Sequence, residues 1–346
     1  MGQTVQFDQL NEAQKKAVLA NKGPVMILAG AGSGKTRTLV SKISYLMEEL
    51  HVSPFQVLAL TFSNKAAREM RERVAKSVSD DIGALGITTF HAFCARVLRS
   101  EASYLGLSQN FTIYDASESK AIVKQILARH GISTKEINPK EILFYIGEVK
   151  NIGYYLGAEK FEDAIDMNDP YYGYFTEYES ELAKSNAVDF GGLISGVIQL
   201  FEKFPDVLKK YQERYKYLFV DEYQDTNRAQ FTLLCLLAEK CLSVCVVGDE
   251  DQSIYSWRGA DINNILDFEQ YFPGVLTLKL EQNYRSSKMI IEAASCVIGR
   301  NIHRKGKEMW TNNDDGDCVE IIECHNDKSE AEFISEKILK LKKDNI

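Results

Sequence analysis

Short apolar runs recur along the first 280 residues of the chain, and segments with helical periodicity separate them. The runs are VMILA (25–29), VLALTF (57–62), YLFVD (217–221), SVCVVGD (243–249) and LTLKL (276–280). Nearly continuous apolar runs of this length are typical of parallel strands that are covered on both faces. The pattern therefore predicts an α/β fold with a doubly wound parallel sheet and helices on both sides.

The interval between the second and third predicted strands, residues 63–216, is far longer than one crossover connection needs. Most of it, residues 107–205, has helical patterns, with a tyrosine-rich turn expected at 169–182 (DPYYGYFTEYESEL). We therefore expect an inserted, mainly helical domain at 107–205. The α/β domain is then formed by residues 1–106 and 206–281.

The pattern changes after residue 281. SSKMIIEAASCVI (286–298) predicts a helix, and CVEIIEC (318–324) predicts a strand. A last amphipathic helix is expected from about Ser329. This part of the chain is thus predicted to continue with mixed helix and strand.

Charge is distributed unevenly along the chain. The formal net charge is −8, and residues 101–200 hold 8 Lys plus Arg against 15 Asp plus Glu, a local net of −7. The rest of the chain is close to neutral and can carry a basic surface for nucleic acid. KAAREMRERVAK (65–76) places five basic residues on one predicted helix. A solvated helix face is the interpretation that such a run favours, and a nucleic-acid contact is the alternative.

Cysteine usage and hydropathy argue against a secreted or membrane protein. The seven cysteines are odd in number, form no CxxC pair and lie mostly in apolar runs, which is typical of reduced core cysteines in a cytosolic protein. The five histidines do not cluster with them, so no zinc site is expected. No apolar run approaches the ~20 residues of a membrane span, and the N-terminus lacks the features of a signal peptide. We expect a cytoplasmic protein without a membrane partner.

LAGAGSGKTR (28–37) follows the first predicted strand and opens a helix. Glycines in such a turn let backbone N–H groups point at phosphate oxygens, and the helix N-terminus adds its dipole. Lys35 would bridge the β- and γ-phosphates, and the Thr36 hydroxyl would bind Mg²⁺. The usual pattern is GxxxxGK[ST], and Ala29 occupies its first position here. The expected phosphate-binding residues are Ala29, Gly30, Ala31, Gly32, Ser33, Gly34, Lys35 and Thr36.

Two acids, Asp221 and Glu222, follow the apolar run YLFV. They are expected at the C-terminal end of a buried strand, where open α/β sheets bind ligands. Asp221 would hold Mg²⁺ through water, and Glu222 would orient and deprotonate the attacking water. The alternative is a pair of acids that cap the next helix. With the phosphate loop these residues predict an ATPase that uses ATP and Mg²⁺, but they do not separate a motor from a small-molecule kinase.

Seven further sequence blocks occur along the chain. They are QLNEAQKKAV (9–18), ALTFSNKAAREMRERV (59–74), ITTFHAFCARVLR (87–99), NAVDFGGLI (186–194), FVDEYQDTNRAQ (219–230), GDEDQSIYSWRGA (248–260) and LEQNYRSS (280–287). In type and order, these blocks and the phosphate loop resemble the motifs of the superfamily 1A DNA helicases of the UvrD, Rep and PcrA type. The resemblance implies a RecA-like P-loop NTPase sheet with helices on both faces, an inserted helical domain, and the truncated start of a second RecA-like domain at 282–346.

The resemblance also assigns roles around the nucleotide. It implies adenine contacts for Gln14 and Tyr284, a nucleotide contact for Arg37, and contacts with the γ-phosphate or its water for Gln224, Gln252 and Arg285. The catalytic set that it implies is Lys35, Glu222, Gln252 and Arg285. Taken alone, Gln14 would be interpreted as a helix-surface glutamine and Tyr284 as a packed tyrosine.

On the nucleic-acid side, the resemblance implies base pockets and backbone contacts. The DNA-binding residues that it implies are Phe62, Asn64, His91, Phe190, Tyr255, Trp257 and Arg258. Aromatic side chains suit a translocase because every base offers a π-face, and each stack is worth roughly 1–3 kcal/mol without sequence preference. A lone tryptophan or histidine is more often a packed residue, so Trp257 and His91 take their expected roles from the blocks.

The chain departs from the family pattern in two places. Gly192 lies where an acidic residue is common, which leaves the role of that turn open. Only 61 residues follow Arg285, too few for a complete second RecA-like domain, and the later arginine-bearing motif is not among them. We therefore expect a piece of a longer protein that binds nucleotide and is severely impaired in hydrolysis.

The function that the resemblance implies is an ATP-dependent 3′-to-5′ DNA helicase or translocase whose ATPase is stimulated by single-stranded DNA. Its expected partners are single-stranded DNA, single-strand/double-strand junctions and repair or replication proteins, in the cytoplasm at the nucleoid. Two rivals stay open: a helicase subunit of a recombination nuclease, and a nucleotide-dependent DNA-binding module without motor activity. A small-molecule kinase would leave Phe62 and Trp257 unexplained.

Overall fold

A computed structural model of the chain describes residues 7–79, 82–158, 164–301 and 304–344. Within these ranges its strands are β1 (Gly23–Ala29), β2 (Val57–Thr61), β3 (Gly86–Thr89), β4 (Thr112–Tyr114), β5 (Ala187–Asp189), β6 (Tyr217–Val220), β7 (Ser243–Gly248), β8 (Leu276–Leu280), β9 (Gln282–Asn283) and β10 (Trp310–Thr311). Its helices are α1 (Glu12–Leu19), α2 (Lys35–Glu48), α3 (Asn64–Ser77), α4 (Phe90–Ser100), α5 (Ala116–Arg129), α6 (Pro139–Asn151), α7 (Tyr172–Lys184), α8 (Phe190–Lys203), α9 (Pro205–Arg214), α10 (Arg228–Ala238), α11 (Asn263–Leu266), α12 (Phe268–Tyr271), α13 (Lys288–Ile298) and α14 (Asp327–Lys343).

Six strands form one parallel sheet in the order β3-β2-β6-β7-β1-β8. The five strands that the apolar runs predict all lie in this sheet, with ends that differ from the prediction by no more than about two residues. β7 is buried along its whole length, and β1 is buried from Val25 to Ala29. The predicted α/β fold with a parallel central sheet is confirmed.

The edge strand β3 is not predicted by the apolar pattern. Its four residues, GITT, contain one large apolar side chain, Ile87. They form a strand because β2 pairs with them in parallel along their whole length. A strand this short is specified by its neighbour and its burial rather than by its own pattern.

Helices cover both faces of the sheet. On one face α1, α2 and α3 pack around Ile27 and Leu39. On the other face α4, α8, α9 and α10 pack around Phe93 and Leu200. The buried side of α3 is apolar, so most of the basic run at 65–76 is exposed on its outer face, as the solvated-face interpretation expects.

Helices α5, α6 and α7 lie between β4 and β5 in the chain and share a separate hydrophobic core. The turn expected at 169–182 is wrong, because α7 begins at Tyr172 and occupies most of that stretch. Phe175, Tyr178 and Leu182 are buried at helical spacing, so the aromatic residues form the inner face of a helix. The tyrosine-rich composition of 169–182 had favoured a turn over this helical periodicity.

A buried ion pair holds the N-terminus of α8. Asp189 accepts the N–H of Gly192 at 2.7 Å, the Lys150 ammonium at 2.8 Å and the Tyr178 hydroxyl at 2.8 Å. A Cβ at Gly192 would lie 2.9 Å from Asp189 Oδ1. The capping carboxylate therefore leaves little room for a side chain at position 192, which gives a physical reason for glycine at this turn.

The strand predicted at 318–324 is wrong. Ile321 is 98% exposed, and none of the described strands pairs with this segment. An apolar run forms a strand only where a neighbouring strand takes up its backbone hydrogen bonds. The helices predicted at 286–298 and from Ser329 are present as α13 and α14.

Cysteine burial is mixed. Cys94 and Cys245 are buried as expected, but Cys296 and Cys318 are exposed, which corrects the expectation for these two residues. Cys296 lies on the outer face of α13, and Cys318 lies in the unpaired segment before α14. In the described ranges no helix combines the length and the apolar character that a bilayer crossing requires.

Candidate nucleotide and nucleic-acid sites

The phosphate loop joins the end of β1 to the start of α2 at Lys35. Gly32 and Gly34 have φ values of +69° and +88°, a left-handed backbone that favours glycine. The Ser33 hydroxyl donates to the Gly30 carbonyl at 2.7 Å and holds the turn from within. No side chain caps the N-terminus of α2, so its first N–H groups are available to an anion.

Lys35 and Glu222 meet at the carboxyl edge of the sheet. Lys35 Nζ lies 2.9 Å from Glu222 Oε2. Glu222 follows β6 by two residues and has a φ of +51°, which is uncommon for a residue with a side chain. Backbone strain of this kind persists where the surroundings impose it, and it is concentrated at functional sites.

Asp221 lies directly after β6 and is 6% exposed. Its Oδ1 accepts the N–H of Glu222 at 3.1 Å. Burial, together with the Glu222 carboxylate, raises the pKa of Asp221 to about 6. Thr36 lies in the first turn of α2, next to the lysine that reaches Glu222. A carboxylate and a hydroxyl are the hard oxygen donors that Mg²⁺ takes, so these residues fit a magnesium ion bound with ATP.

A chain of hydrogen bonds connects Glu222 to Gln252. Gln224 Nε2 donates to Glu222 Oε2 at 3.0 Å, and Gln224 Oε1 accepts the N–H of Asp249 at 3.0 Å. Gln252 Nε2 in turn donates to Asp249 Oδ2. Because Lys35 pairs with Glu222, one network joins the phosphate loop to the carboxyl ends of β6 and β7.

Gln14 packs against the phosphate loop. Its Nε2 donates to the Ser33 carbonyl at 2.9 Å, and its Oε1 accepts the N–H of Asn11 at 3.0 Å. A Cβ at Gly34 would lie 2.7 Å from Gln14 Nε2. The buried glutamine therefore takes part in the loop's structure, in addition to the adenine contact that the sequence blocks imply.

Tyr284 lies beside the N-terminus of α1 with 46% of its surface exposed. Its hydroxyl accepts from Asn11 Nδ2 at 2.8 Å, and its N–H donates to the Gly32 carbonyl at 3.0 Å. Arg37 is also exposed and donates to Gln9 Oε1 at 2.8 Å. Asn11 thus contacts both residues that are expected to bind adenine, Gln14 and Tyr284. Its position in the block QLNEAQKKAV could have suggested this role.

Arg285 is exposed next to the phosphate loop. A Cβ at Gly32 would lie 2.9 Å from Arg285 Cβ. Asn283 holds the two segments together, because its Oδ1 accepts the N–H of Arg285 at 2.8 Å and its Nδ2 donates to the Ala31 carbonyl at 2.6 Å. Asn283 is a site residue that was not predicted from the sequence, although it lies inside LEQNYRSS.

A cavity of about 440 Å³ opens between the carboxyl edge of the sheet and helices α6 and α8. Its wall contains five of the expected DNA-binding residues, which are Phe62, His91, Phe190, Tyr255 and Arg258. Trp257 and Asn64 lie outside this wall, and both are exposed. The structure therefore brings together residues from the end of β2, from α4 and α8, and from the loop after β7.

Four aromatic and basic side chains adjoin one another on this surface. The Phe62 and Tyr255 rings stack with centroids 5.3 Å apart and planes at 21°. The Trp257 ring lies 6.3 Å from Tyr255 and is 73% exposed. The Arg258 guanidinium lies 5.5 Å from the Trp257 centroid. Trp257 is thus a surface residue, and the core interpretation of a lone tryptophan is excluded.

His91 and Phe190 form a second aromatic contact in the cavity wall. Their ring centroids are 5.8 Å apart with the planes at 73°. Burial lowers the pKa of His91, which favours a neutral imidazole. Phe190 is 54% exposed and is the first residue of α8, whose N-terminus the Lys150–Asp189 pair holds. The half-buried His91 imidazole and the exposed Phe190 ring are suited to contact with a flat base.

Several polar residues of the same wall were not predicted from the sequence. They are Asn151, Asp225, Asn227 and Gln230. Asn227 Nδ2 donates to Asn151 Oδ1 at 2.9 Å, and a Cβ at Gly259 would collide with the Asn151 side chain. Three of the four lie inside FVDEYQDTNRAQ, but Asn151 is the last residue of α6 and carries no signal in the sequence.

Two further residues near the phosphate loop were not anticipated. Lys307 Nζ lies 2.8 Å from both Asp249 Oδ1 and Glu250 Oε2. The Met309 side chain packs against Gly30 so closely that a Cβ there would collide with it. The only signal in the sequence is the basic cluster RKGK at 304–307.

Comparison with known proteins identifies two family models along the chain. The model described as UvrD/REP helicase N-terminal domain matches residues 10–273. The model described as UvrD-like helicase C-terminal domain matches residues 278–346. Together they cover nearly all of the sequence.

Individual relatives agree with the family models. The chain is 45% identical over 337 residues to the ATP-dependent DNA helicase PcrA of Staphylococcus aureus (strain NCTC 8325 / PS 47), which covers 96% of this chain and 46% of the relative. It is 44% identical over 336 residues to the PcrA of Staphylococcus epidermidis (strain ATCC 12228 / FDA PCI 1200), covering 96% of this chain and 45% of the relative. The chain therefore spans about half the length of the curated relatives that it matches.

Proposed function

Because the chain belongs to the UvrD/Rep helicase family, we propose that it supplies the ATP-binding and single-stranded-DNA-binding surfaces of an ATP-dependent 3′-to-5′ DNA helicase. One observation carries the proposal. Residues 249–258 take part in the hydrogen-bond network that reaches Lys35, and they also provide Tyr255 and Arg258 to the aromatic cavity. A single short segment thus joins the candidate nucleotide site to the candidate DNA site.

At the nucleotide site, ATP would place its terminal phosphates at the phosphate loop and compete with Glu222 for the Lys35 ammonium. Release from Lys35 would leave the Glu222 carboxylate to accept a proton from the attacking water. Magnesium, held by Thr36 and through water by Asp221, would neutralise charge on the β- and γ-phosphates. Arg285 and Gln252 would contact the γ-phosphate, and Tyr284 and Gln14 would hold the adenine.

We propose that the change at the nucleotide site on hydrolysis is transmitted to the DNA site through the hydrogen bonds that join Gln224, Asp249 and Gln252. Loss of the γ-phosphate would change the partner of Gln252, which already donates to Asp249. A shift of the segment that follows would move Tyr255 and Trp257 relative to Phe62. Bases stacked on these rings would then be released and recaptured in steps, with no requirement for a particular base.

The division of the chain follows from the same proposal. We assign residues 1–106 and 206–281 to the ATP-binding domain, residues 107–205 to the inserted domain and residues 282–346 to the start of the second motor domain. The separate core of α5, α6 and α7 supports an inserted unit, whereas α8, at the C-terminal end of the same range, packs on the core of the sheet. In the cell the protein would act on single-stranded DNA and strand junctions at the nucleoid, alongside repair or replication proteins.

The 346-residue polypeptide assayed by itself is expected to bind ATP and to hydrolyse it slowly. The later arginine-bearing motif of the family is not among its residues. An arginine that reaches the γ-phosphate from the far side of an ATP site contributes on the order of 10³- to 10⁵-fold in rate. DNA-stimulated turnover by this polypeptide at ordinary helicase rates would overturn that expectation.

The proposed function is tested by ATP hydrolysis of the full-length gene product with and without single-stranded DNA, beside Lys35→Ala. We expect stimulation by DNA and loss of hydrolysis in the variant, while Lys328→Ala, at an exposed site on α14, serves as the control. An unchanged rate in Lys35→Ala would show that the phosphate site is assigned wrongly. A DNA-independent ATPase with transfer to a metabolite would favour a kinase.

Two rivals within DNA metabolism predict different results. A nucleotide-dependent binding module would bind DNA in an ATP-sensitive manner but would neither hydrolyse ATP steadily nor separate strands. A helicase subunit of a recombination nuclease would unwind DNA and would also associate with an endonuclease or exonuclease activity. Strand-displacement and nuclease assays on the same preparation distinguish the three.

A further inference from the structure

The segment from Arg304 to Thr311 crosses the edge of the candidate ATP site and contacts it at several points. We call this segment the basic strap. Its C-terminal end is fixed by β10, which pairs with β9, and by the Thr311 hydroxyl, which donates to the Asn283 carbonyl at 2.8 Å. Met309 packs against Gly30 of the phosphate loop. The strap therefore holds a defined position between the phosphate loop and the loop that follows β7.

Lys307 is the most deeply buried basic residue of the strap. Its side chain is 1% exposed, and its Nζ lies 2.8 Å from Asp249 Oδ1, 2.8 Å from Glu250 Oε2 and 3.2 Å from Asp251 Oδ2. Arg304 Nη2 adds a contact with Asp251 Oδ2 at 2.9 Å. Burial by itself would lower the pKa of Lys307, but the Asp249 and Glu250 carboxylates hold it above its ordinary value.

This arrangement has an electrostatic consequence. Three carboxylates on consecutive residues, 249–251, stand beside the phosphate loop, where a polyanion is expected to bind. Buried like charges repel one another and repel a phosphate unless a cation compensates them. Lys307, with Arg304, supplies that compensation from a part of the chain that lies after Arg285.

The position of Lys307 also restrains the Asp249 side chain. Lys307 contacts Asp249 through Oδ1, and Gln252 Nε2 donates to the other oxygen of the same carboxylate, Oδ2. The Asp249 N–H in turn donates to Gln224 Oε1 at 3.0 Å. Asp249 is thus held on three sides, and removal of Lys307 frees the carboxylate to which Gln252 is bonded.

We propose that Lys307 is a positioning residue of the ATP site, which acts through Asp249 to hold Gln252 at the terminal-phosphate end. The inference rests on the proposed function, since it presupposes that Lys35 and Gln252 serve ATP hydrolysis. A positioning role predicts a loss in kcat on the order of ten- to a hundredfold, by analogy with the loss of residues that orient metal ligands. The KM for ATP should change less than about threefold, because Lys307 does not itself occupy the phosphate loop.

The test compares Lys307→Met, Lys307→Arg and the exposed control Lys328→Met in the full-length gene product. The measurements are kcat and KM for ATP with a thymidine homopolymer present, the affinity for a fluorescent ATP analogue, and thermal unfolding. We expect the methionine variant to lose kcat at nearly constant KM and analogue affinity. The arginine variant, which keeps the charge, should retain most of the rate.

A second variant separates positioning from folding. Lys307→Met alone leaves three carboxylates without their buried cation, so it is combined with Glu250→Gln to reduce the charge. The double variant should recover thermal stability but keep the low kcat, because Asp249 still lacks its lysine. Recovery of kcat together with stability would reduce Lys307 to a structural role and overturn the inference.

Failure of the inference is distinguishable from failure of the proposed function. A wild-type kcat in Lys307→Met, with hydrolysis abolished in Lys35→Ala, would refute the positioning role and leave the ATP site intact. A Lys35→Ala variant with normal ATP affinity and rate would instead refute the site to which the role belongs.

Discussion

The side chains of Lys35 and Glu222 form an ion pair across the carboxyl edge of the sheet, with Nζ 2.9 Å from Oε2. One residue opens α2 and the other follows β6, and β7 lies between β6 and β1 in the sheet. In a site for ATP the lysine has a stronger partner in the phosphates, so the pair would exchange when nucleotide binds. The ion pair thereby connects phosphate binding to the availability of the carboxylate.

We predict that Glu222→Gln lowers the rate of ATP hydrolysis by the full-length gene product on the order of 10²- to 10⁴-fold. This is the usual contribution of a general base. Affinity for a fluorescent ATP analogue should be equal or tighter, because the amide no longer competes for Lys35. Glu213→Gln, at an exposed position on α9, is the control. Hydrolysis at the wild-type rate in Glu222→Gln would remove Glu222 from the catalytic set.

Removal of the exposed indole should weaken DNA binding. We expect Trp257→Ala to cost about 1–3 kcal/mol in affinity for a thymidine homopolymer, measured by fluorescence anisotropy at fixed salt. Phe55→Ala is the matched control, since Phe55 is 58% exposed but precedes β2 and so lies at the opposite edge of the sheet. Equal losses in the two variants would mean that the exposed aromatic surface around Trp257 is not a DNA site.

The phosphate loop should not tolerate a side chain at Gly34. Gly34→Ala places a Cβ 2.7 Å from Gln14 Nε2 in a left-handed backbone, so we expect ATP-analogue affinity to fall more than about tenfold along with stability. Gly131→Ala shares the positive φ but meets nothing within 4 Å. It should lose about 1–2 kcal/mol of stability and keep its nucleotide affinity, which separates backbone strain from damage to the site. A Gly34→Ala variant that binds the analogue normally would contradict the contact with Gln14.

The stability of the chain should depend on His91 in mildly acidic solution. Burial lowers the pKa of His91, so the unfolded chain binds more protons than the folded chain between the lowered pKa and about 6.5. This contribution to the free energy of unfolding is therefore lost as pH falls through that window, by at most about 1.4 kcal/mol per pH unit. His91→Gln should abolish it, while His325→Gln, at an exposed position, should not. Denaturant unfolding at about pH 7.5 and about pH 5.5 measures the difference, and parallel curves for wild type and His91→Gln would refute the burial effect.

Much of the fold was predictable because its signals are local. A strand covered on both faces must be apolar along its length, so the five runs predict five strands of the sheet without knowledge of their order. The turn before Lys35 needs glycine for its left-handed backbone, and that requirement is visible as GAGSGK. The elements that were predicted wrongly or not at all depend instead on contacts with distant parts of the chain. β3 and α7 are formed by residues whose burial depends on neighbours, and the apolar segment at 318–324 forms no strand within the described chain because no strand pairs with it.

The sites divide in the same way. By itself the sequence determined which residues have the chemistry of a phosphate loop, an acidic strand end and an aromatic surface, because those residue types and their local spacing follow from the ligand. Only the tertiary structure decided which of them meet. Phe62 stacks on Tyr255, and Lys307 neutralises Asp249, across long separations in the chain, since a parallel sheet gathers the ends of distant strands at one edge. Such contacts depend on strand order and on packing, and local sequence patterns predict neither.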